Sequence, residues 1–224
     1  MAAAYDAHTV QDFTTSVSFA HAPVGTPRGV VVAIAQNASA ADRISAVTYG
    51  GVPLARVPAD GFAADSAGEV GAVYMYFLGT GVPTGAQTVQ VTVGAGAEAK
   101  RAVVFTITAA TDIELAASGS VEGDAANPSV TLATDASFAG FLANAIFSGH
   151  DSPASLTGAY TDNGGPNGRD FGTQCAAFQW SSAQTGANVP LGWTAAVEDV
   201  AMISAAFQEI RPAPRLIIPP RRPT

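Results

Sequence analysis

The chain has 224 residues, of which 48% are hydrophobic and only 12% charged, with 23 Gly and 14 Pro. A disordered chain would be poorer in apolar residues and richer in charge, and this many Gly and Pro residues exclude a fold dominated by long helices. All 18 acidic residues precede residue 211, whereas four of the ten basic residues follow residue 210. An acidic body of charge −12 (six bases, 18 acids) therefore carries a basic tail of +4.

The acidic body and the lack of targeting signals limit the function classes. A charge of −12 repels nucleic-acid phosphates and gives no attraction to an anionic membrane, so neither is expected as a partner. Cys175 is the single cysteine, which excludes an intramolecular disulfide. Residues 1–13 lack the basic and apolar regions of a signal peptide, and the longest apolar run, 29–35, is too short to span a bilayer. We expect assembly in a cytoplasm, with no signal peptide and no transmembrane segment.

Short apolar or alternating runs between turn residues predict β-strands through the first half of the chain. Residues 14–20 alternate, residues 29–36 are nearly all apolar, as in a strand buried on both faces, and residues 44–57 predict two strands joined by a Gly-Gly turn. Further strands are predicted where aromatic and β-branched residues accumulate or alternate with polar ones, at 70–79, 87–94 and 100–109.

The second half continues this pattern up to one ambiguous segment. Strands are predicted at 127–134, 137–149, 155–161 and 172–182. In 195–210 the apolar residues fit helical spacing, whereas residues 201–207 also alternate as in a strand. Periodicity alone cannot decide between strand and helix here, so both stay open, with the strand preferred.

Roughly eleven strands without an alternating strand–helix rhythm predict an all-β fold. We expect an antiparallel two-sheet jelly-roll-like sandwich with extended terminal arms. The predicted division is an N-terminal arm over 1–13, a β-sandwich domain over 14–210 and a Pro/Arg-rich C-terminal arm over 211–224. The acidic segment 111–128 is interpreted as a long crossover within the domain, with a boundary between two domains there as the alternative. No exact internal repeat is visible.

Four segments in succession resemble a recurrent β-sandwich family: SFAHAPVGTPRGVVVAIAQNA, ISAVTYGGVPLARV, AVYMYFLGTGVPTGAQTVQVTV and AVVFTIT. This family occurs in virion structural proteins of tailed bacteriophages and related particles, and in some secreted bacterial surface proteins. GWTAAVEDVAMISAAFQEI is similar to the family's closing strand, which favours a strand for the ambiguous segment. The resemblance covers 14–210 and implies a fold without catalytic residues. Its secreted members carry export signals, so the resemblance favours a virion protein.

The sequence contains no familiar catalytic or cofactor-binding pattern, and no enzyme activity or cofactor is predicted. His8, His21 and His150 are dispersed and lack metal-ligand spacing. Residues 149–152, GHDS, are too close in sequence to form a triad, and no G-x-S-x-G elbow is present. A glycoside hydrolase would need two facing carboxylates, whereas neighbouring residues such as Glu198 and Asp199 point to opposite sides of a strand.

Two features have both a structural and a binding interpretation. The polar loop 161–170 offers Asp and Asn oxygens suited to Ca²⁺, but its spacing does not match an EF-hand, so no metal is predicted. Trp180 and Trp193 are interpreted as core residues, with an exposed glycan-binding face as the alternative. That alternative describes a carbohydrate- or receptor-binding module on a phage tail tip or a cell surface.

The C-terminal arm is the segment whose composition points most directly to a function. Its prolines favour an extended polyproline II conformation of about 3.1 Å per residue, with a reach on the order of 40 Å. The predicted contacts are arginines for acidic grooves and aliphatic anchors: Arg211, Arg215, Arg221 and Arg222, with Leu216, Ile217 and Ile218. We therefore predict a homo-oligomeric structural protein (head decoration or cement, fibre or minor tail subunit) that docks on the particle's major capsid or tail protein.

Overall fold

The computed structural model describes residues 3–58, 62–149, 155–158, 169–171, 174–194 and 198–210. Every regular element in these ranges is a β-strand, and every pairing between them is antiparallel. The all-β prediction is confirmed. No helix in these ranges is long and apolar enough to cross a membrane.

The N-half, residues 3–110, forms one large and one small sheet. Its strands are β1 (Ala4–Phe13), β2 (Val17–His21), β3 (Gly29–Asn37), β4 (Ile44–Tyr49), β5 (Val52–Pro53), β6 (Ala55–Arg56), β7 (Ala63–Asp65), β8 (Gly71–Leu78), β9 (Gln87–Val93) and β10 (Lys100–Thr108). The inner N sheet has the order β1-β10-β3-β8-β6, with β7 also paired to β8, and the outer N sheet has the order β2-β9-β4-β5.

The C-half, residues 111–210, is built in the same way. Its strands are β11 (Ile113–Ala125), β12 (Ser129–Leu132), β13 (Ala139–Ser148), β14 (Ser155–Gly158), β15 (Arg169–Asp170), β16 (Cys175–Thr185), β17 (Val189–Thr194) and β18 (Glu198–Glu209). The inner C sheet has the order β11-β18-β13-β16-β15, and the outer C sheet has the order β12-β17-β14.

The two halves are therefore a topological repeat. Strands β1, β10, β3 and β8 of the inner N sheet correspond in order to β11, β18, β13 and β16 of the inner C sheet. The edge strands β1 and β11 also share a register shift near their start, between Tyr5 and Ala7 in the N-half and between Leu115 and Ala117 in the C-half. The sequence shows no exact repeat, so the duplication is visible only in the strand order and in this shared register shift.

The sheets stack in the order outer N, inner N, inner C, outer C. One buried cluster fills the space between the two inner sheets, and separate clusters lie between each inner sheet and its outer sheet. In β3, Val31 and Ala33 face the central cluster, whereas Val30 and Val32 face the outer N sheet. Burial on both faces, predicted for residues 29–36, is thus confirmed for this strand.

Three segment predictions have different outcomes. Residues 4–13 are not an extended arm, because they form β1 and pair with β10 along its length. Residues 113–125, interpreted as part of a long crossover, form the edge strand β11, whose polar residues are tolerated because much of the strand faces solvent. The ambiguous segment is a strand over Glu198–Glu209, as favoured. The C-terminal arm over 211–224 lies outside the described residues and stays a prediction.

Candidate functional site

Three aspartates far apart in sequence meet at one end of the seam between the inner sheets. Asp65 is the last residue of β7, Asp124 lies near the end of β11, and Asp199 is the second residue of β18. One carboxylate oxygen of each lies within 4.8 Å of the corresponding oxygens of the other two. Asp65 belongs to the N-half and the other two belong to the C-half, so this aspartate cluster spans the junction between the halves.

The strand register creates the repulsive part of this cluster. Asp124 and Asp199 are direct partners in the antiparallel pairing of β11 with β18. Like charges directly opposite on neighbouring strands are destabilising. The hydrogen bond to Asp199 and the negative charge of Asp199 raise the pKa of the Asp124 carboxyl group above its usual value.

The turn after β7 orients two of the three carboxylates. The Ala67 N–H donates to Asp65 Oδ1 at 2.9 Å, and the Glu69 N–H donates to Asp199 Oδ2 at 2.7 Å. Between these donors Gly68 has a φ of 53°, and a Cβ at this position would overlap Asp199 Oδ2. Glycine is required because the turn needs positive φ and passes directly against the carboxylate.

The described residues supply little positive charge to balance this cluster. Asp65 is only 3% exposed, and its Oδ2 is buried without a hydrogen-bond partner. The basic side chains that the structure describes form ion pairs elsewhere: Arg28 with Asp112, Arg43 and Lys100 with Glu98, Arg56 with Asp42, and Arg101 with Asp12. A buried carboxylate without a charge partner is costly, so the cluster is an electrostatically unsatisfied site.

A second polar group lies in the N-half around His21. This histidine is 1% exposed, with Nδ1 at 3.0 Å from Thr9 Oγ1 and Nε2 at 3.3 Å from Thr106 Oγ1. Thr106 Oγ1 in turn donates to Asp6 Oδ2 at 2.9 Å. Because the imidazole is covered, this chain of hydrogen bonds links β1, β2 and β10 and offers a substrate no access. It is a structural polar network.

Burial makes His21 a source of acid sensitivity. Desolvation lowers the pKa of its imidazole, partly offset by the charge of Asp6. Below about pH 6.5 the unfolded chain binds a proton at His21 that the folded chain resists, so the free energy of unfolding falls as the pH drops below that value. We expect the urea midpoint to decrease between pH 7.5 and pH 5.5, and to decrease less for His21→Gln. Equal pH dependence of the two proteins would contradict this assignment.

The two tryptophans predicted as alternative glycan contacts lie in the core. Trp180 and Trp193 are each 2% exposed. Trp180 belongs to the central cluster and stacks on Tyr5 with 5.1 Å between ring centroids, and Trp193 Nε1 donates to Asn144 Oδ1 at 2.9 Å. Neither indole presents a face to a sugar, so the core interpretation holds and the glycan face at these residues does not.

The remaining predicted sites are not brought together by the described structure. The arm residues Arg211, Arg215, Leu216, Ile217, Ile218, Arg221 and Arg222 lie outside the described residues. Most of the polar loop 161–170 also lies outside them. Asp199, considered in the sequence only beside Glu198, instead joins two aspartates that sequence reasoning did not connect. Their meeting depends on the register of β18 with β11 and on the position of β7, which no local pattern reveals.

Comparison of the chain with known proteins found no matching family model, no matching curated protein and no matching solved structure.

Proposed function

We propose that the protein is a structural subunit of a virion, of the tailed-bacteriophage or phage-like type, that docks on the particle through its C-terminal arm. The observation that carries this proposal is the separation of charge along the chain. Residues 1–210 carry a net charge of −12, and they are followed by an arm with a net charge of +4 that also contains a Leu-Ile-Ile run. Opposite charge steers such an arm toward an acidic surface, and its aliphatic side chains supply the apolar burial that holds it there.

The body has the properties that a structural subunit needs. Its four stacked sheets enclose three buried layers of side chains, and a stiff body keeps its shape under load. The chain is tied down just before the arm begins, because the Ile210 N–H donates to the Asp112 carbonyl oxygen at 2.8 Å. The residue that precedes the arm is therefore held in place by the fold. A force applied to the arm would be transmitted to strand β18, which ends one residue earlier.

Deletion of residues 211–224 tests the proposal. We expect incorporation into particles to fall at least about tenfold, because both the charge attraction and the apolar anchor are lost. The measurement is the amount of protein retained on particles that lack the native subunit after mixing and sedimentation. The melting temperature of the truncated protein should stay close to that of the full chain, which separates lost docking from lost folding.

Two full-length variants divide the effect between its causes. Replacing the four arm arginines with Gln should weaken retention most at low salt, whereas replacing Leu216, Ile217 and Ile218 with Ser should weaken it at every salt concentration. Retention of the truncated protein at the level of the full chain would refute the docking role of the arm.

A further inference from the structure

We propose that Asp65, Asp124 and Asp199 bind a divalent cation of the Ca²⁺ class that clamps the N-half to the C-half. This site is separate from the arm and does not depend on the docking function proposed above. It lies at the start of β18, whereas the arm follows the end of that strand, 12 residues long. At about 3.3 Å per residue the two ends of this strand lie tens of ångströms apart.

The spacing of the oxygens suits a calcium-sized ion. Ca²⁺ takes oxygen ligands at about 2.3–2.6 Å, so ligands on opposite sides of the ion are about 4.6–5.2 Å apart. The three carboxylate oxygens lie within 4.8 Å of one another, which fits inside such a coordination sphere. Mg²⁺ demands a near-ideal octahedron with ligands at about 2.0–2.1 Å and gives up its water reluctantly, so Ca²⁺ with its flexible coordination is the better match for carboxylates on three separate strands.

The orientation of the carboxylates leaves one oxygen of Asp65 open to an ion. Backbone N–H groups occupy Asp65 Oδ1 and Asp199 Oδ2, and these bonds hold each carboxylate in place. The second oxygen of Asp65, Oδ2, is buried and has no hydrogen-bond partner. A buried oxygen with negative charge and no donor is the feature that a bound cation explains and that a merely acidic surface patch does not.

Exposure differs across the cluster in the way that a cation site requires. Asp65 closes the inner side at 3% exposure, Asp199 is half-buried, and Asp124 is exposed. Ca²⁺ needs six to eight oxygen ligands, and water can reach the ion from the side of Asp124 to complete that number. The open side also gives the ion a path of entry.

A cation here would convert repulsion into a link between the halves. Without it, Asp124 and Asp199 repel each other across β11 and β18 when both carry a negative charge, and the buried Asp65 lies beside them. With it, one ion joins a ligand from β7 of the inner N sheet to two ligands from the inner C sheet. The folded chain then gains stability that rises with the logarithm of the ion concentration above the dissociation constant, because the unfolded chain does not hold the three carboxylates together.

The test compares thermal unfolding of the purified full chain with a chelator and with CaCl₂ in about hundredfold excess over its dissociation constant. We expect Ca²⁺ to raise the melting temperature of the native sequence by roughly 5–10 °C. Asp65→Asn and Asp124→Asn should lose most of that shift. In chelator, Asp124→Asn should be at least as stable as the native sequence, because the opposed like charges are relieved.

Glu114→Gln is the matched control. It removes one carboxylate from the same strand, β11, at the opposite end from Asp124, and the amide keeps the acceptor used by Gln208. This variant should keep the full Ca²⁺ shift, and MgCl₂ should give a smaller shift than CaCl₂. Calorimetric titration should show one Ca²⁺ per chain, abolished in Asp124→Asn.

Two results would overturn the proposal. One is a melting temperature of the native sequence that Ca²⁺ leaves unchanged, which would make the cluster an acidic patch only. The other is an equal Ca²⁺ shift in Asp124→Asn and in Glu114→Gln, which would show that the ion screens the acidic surface without occupying this site.

Discussion

Replacing Phe207 with Ala is expected to lower the free energy of unfolding by about 3–5 kcal/mol. Phe207 is fully buried in the central cluster, where its ring centroid lies 4.5 Å from that of Phe77 and 6.5 Å from that of Phe141. Its removal leaves a void between two inner sheets that are each held by their own hydrogen bonds, so the space cannot collapse freely. Urea denaturation followed by circular dichroism gives the change.

Leu115→Ala is the control for this substitution. Leu115 lies directly opposite Phe207 in the pairing of β11 with β18, but it is 38% exposed. Removing a partly exposed side chain leaves no cavity, and we expect a loss of about 1 kcal/mol or less. Equal losses for Phe207→Ala and Leu115→Ala would contradict the central packing described here.

The same experiment tests whether the halves unfold together. They share the central cluster, so loss of Phe207 should weaken both and leave one cooperative transition. Tryptophan fluorescence reports on the C-half through Trp193 and on the junction between the halves through Trp180, and circular dichroism reports on all strands. Transitions that coincide by both probes support one unit, and a separate, earlier loss of one half would refute it.

Strand positions were the part of this fold open to prediction, because side-chain alternation has a fixed period of two. In β9 the buried residues Val89, Val91 and Val93 alternate with exposed neighbours, as the sequence of 87–94 indicates. The apolar run at 29–36 likewise predicts burial on both faces. Such signals are local, since each residue reveals only which face of its own strand it occupies.

The duplication escaped prediction because packing volume constrains the halves more than residue identity does. Corresponding strands fill the central cluster with side chains of different size, since β3 contributes Val31 where β13 contributes Phe141, and β8 contributes Met75 where β16 contributes Trp180. A core accepts such exchanges when neighbouring residues compensate in size. The repeat is therefore preserved in the order of the strands, whereas the residues that corresponding strands place in the central cluster differ in identity.

Edge strands and the aspartate cluster escaped prediction for related reasons. Strand β1 has nearly uniform intermediate burial, so its sequence carries little of the alternation that marks a strand. Asp65, Asp124 and Asp199 meet only because the pairing of β11 with β18 and the placement of β7 put them together. The presence of a charged residue in a strand does not indicate which residue of a distant strand will lie opposite it.

Asn144 supports the second large prediction, since it is a fully buried polar residue in the apolar strand β13. Its Nδ2 donates to Ser204 Oγ at 2.7 Å, and its Oδ1 accepts from Trp193 Nε1 at 2.9 Å. These bonds connect β13 with β18 in the inner C sheet and with β17 in the outer C sheet. Asn144→Leu keeps the volume but leaves two buried polar groups without partners, at about 1–3 kcal/mol each.

We therefore expect Asn144→Leu to lower the free energy of unfolding by about 2–5 kcal/mol, measured by urea denaturation. Adding Ser204→Ala should restore part of this loss, because it removes one of the two orphaned groups, whereas Ser204→Ala alone should be destabilising. That reversal of sign is what a shared hydrogen bond requires and simple loss of packing does not. Strictly additive losses in the double variant would show that Asn144 and Ser204 contribute independently.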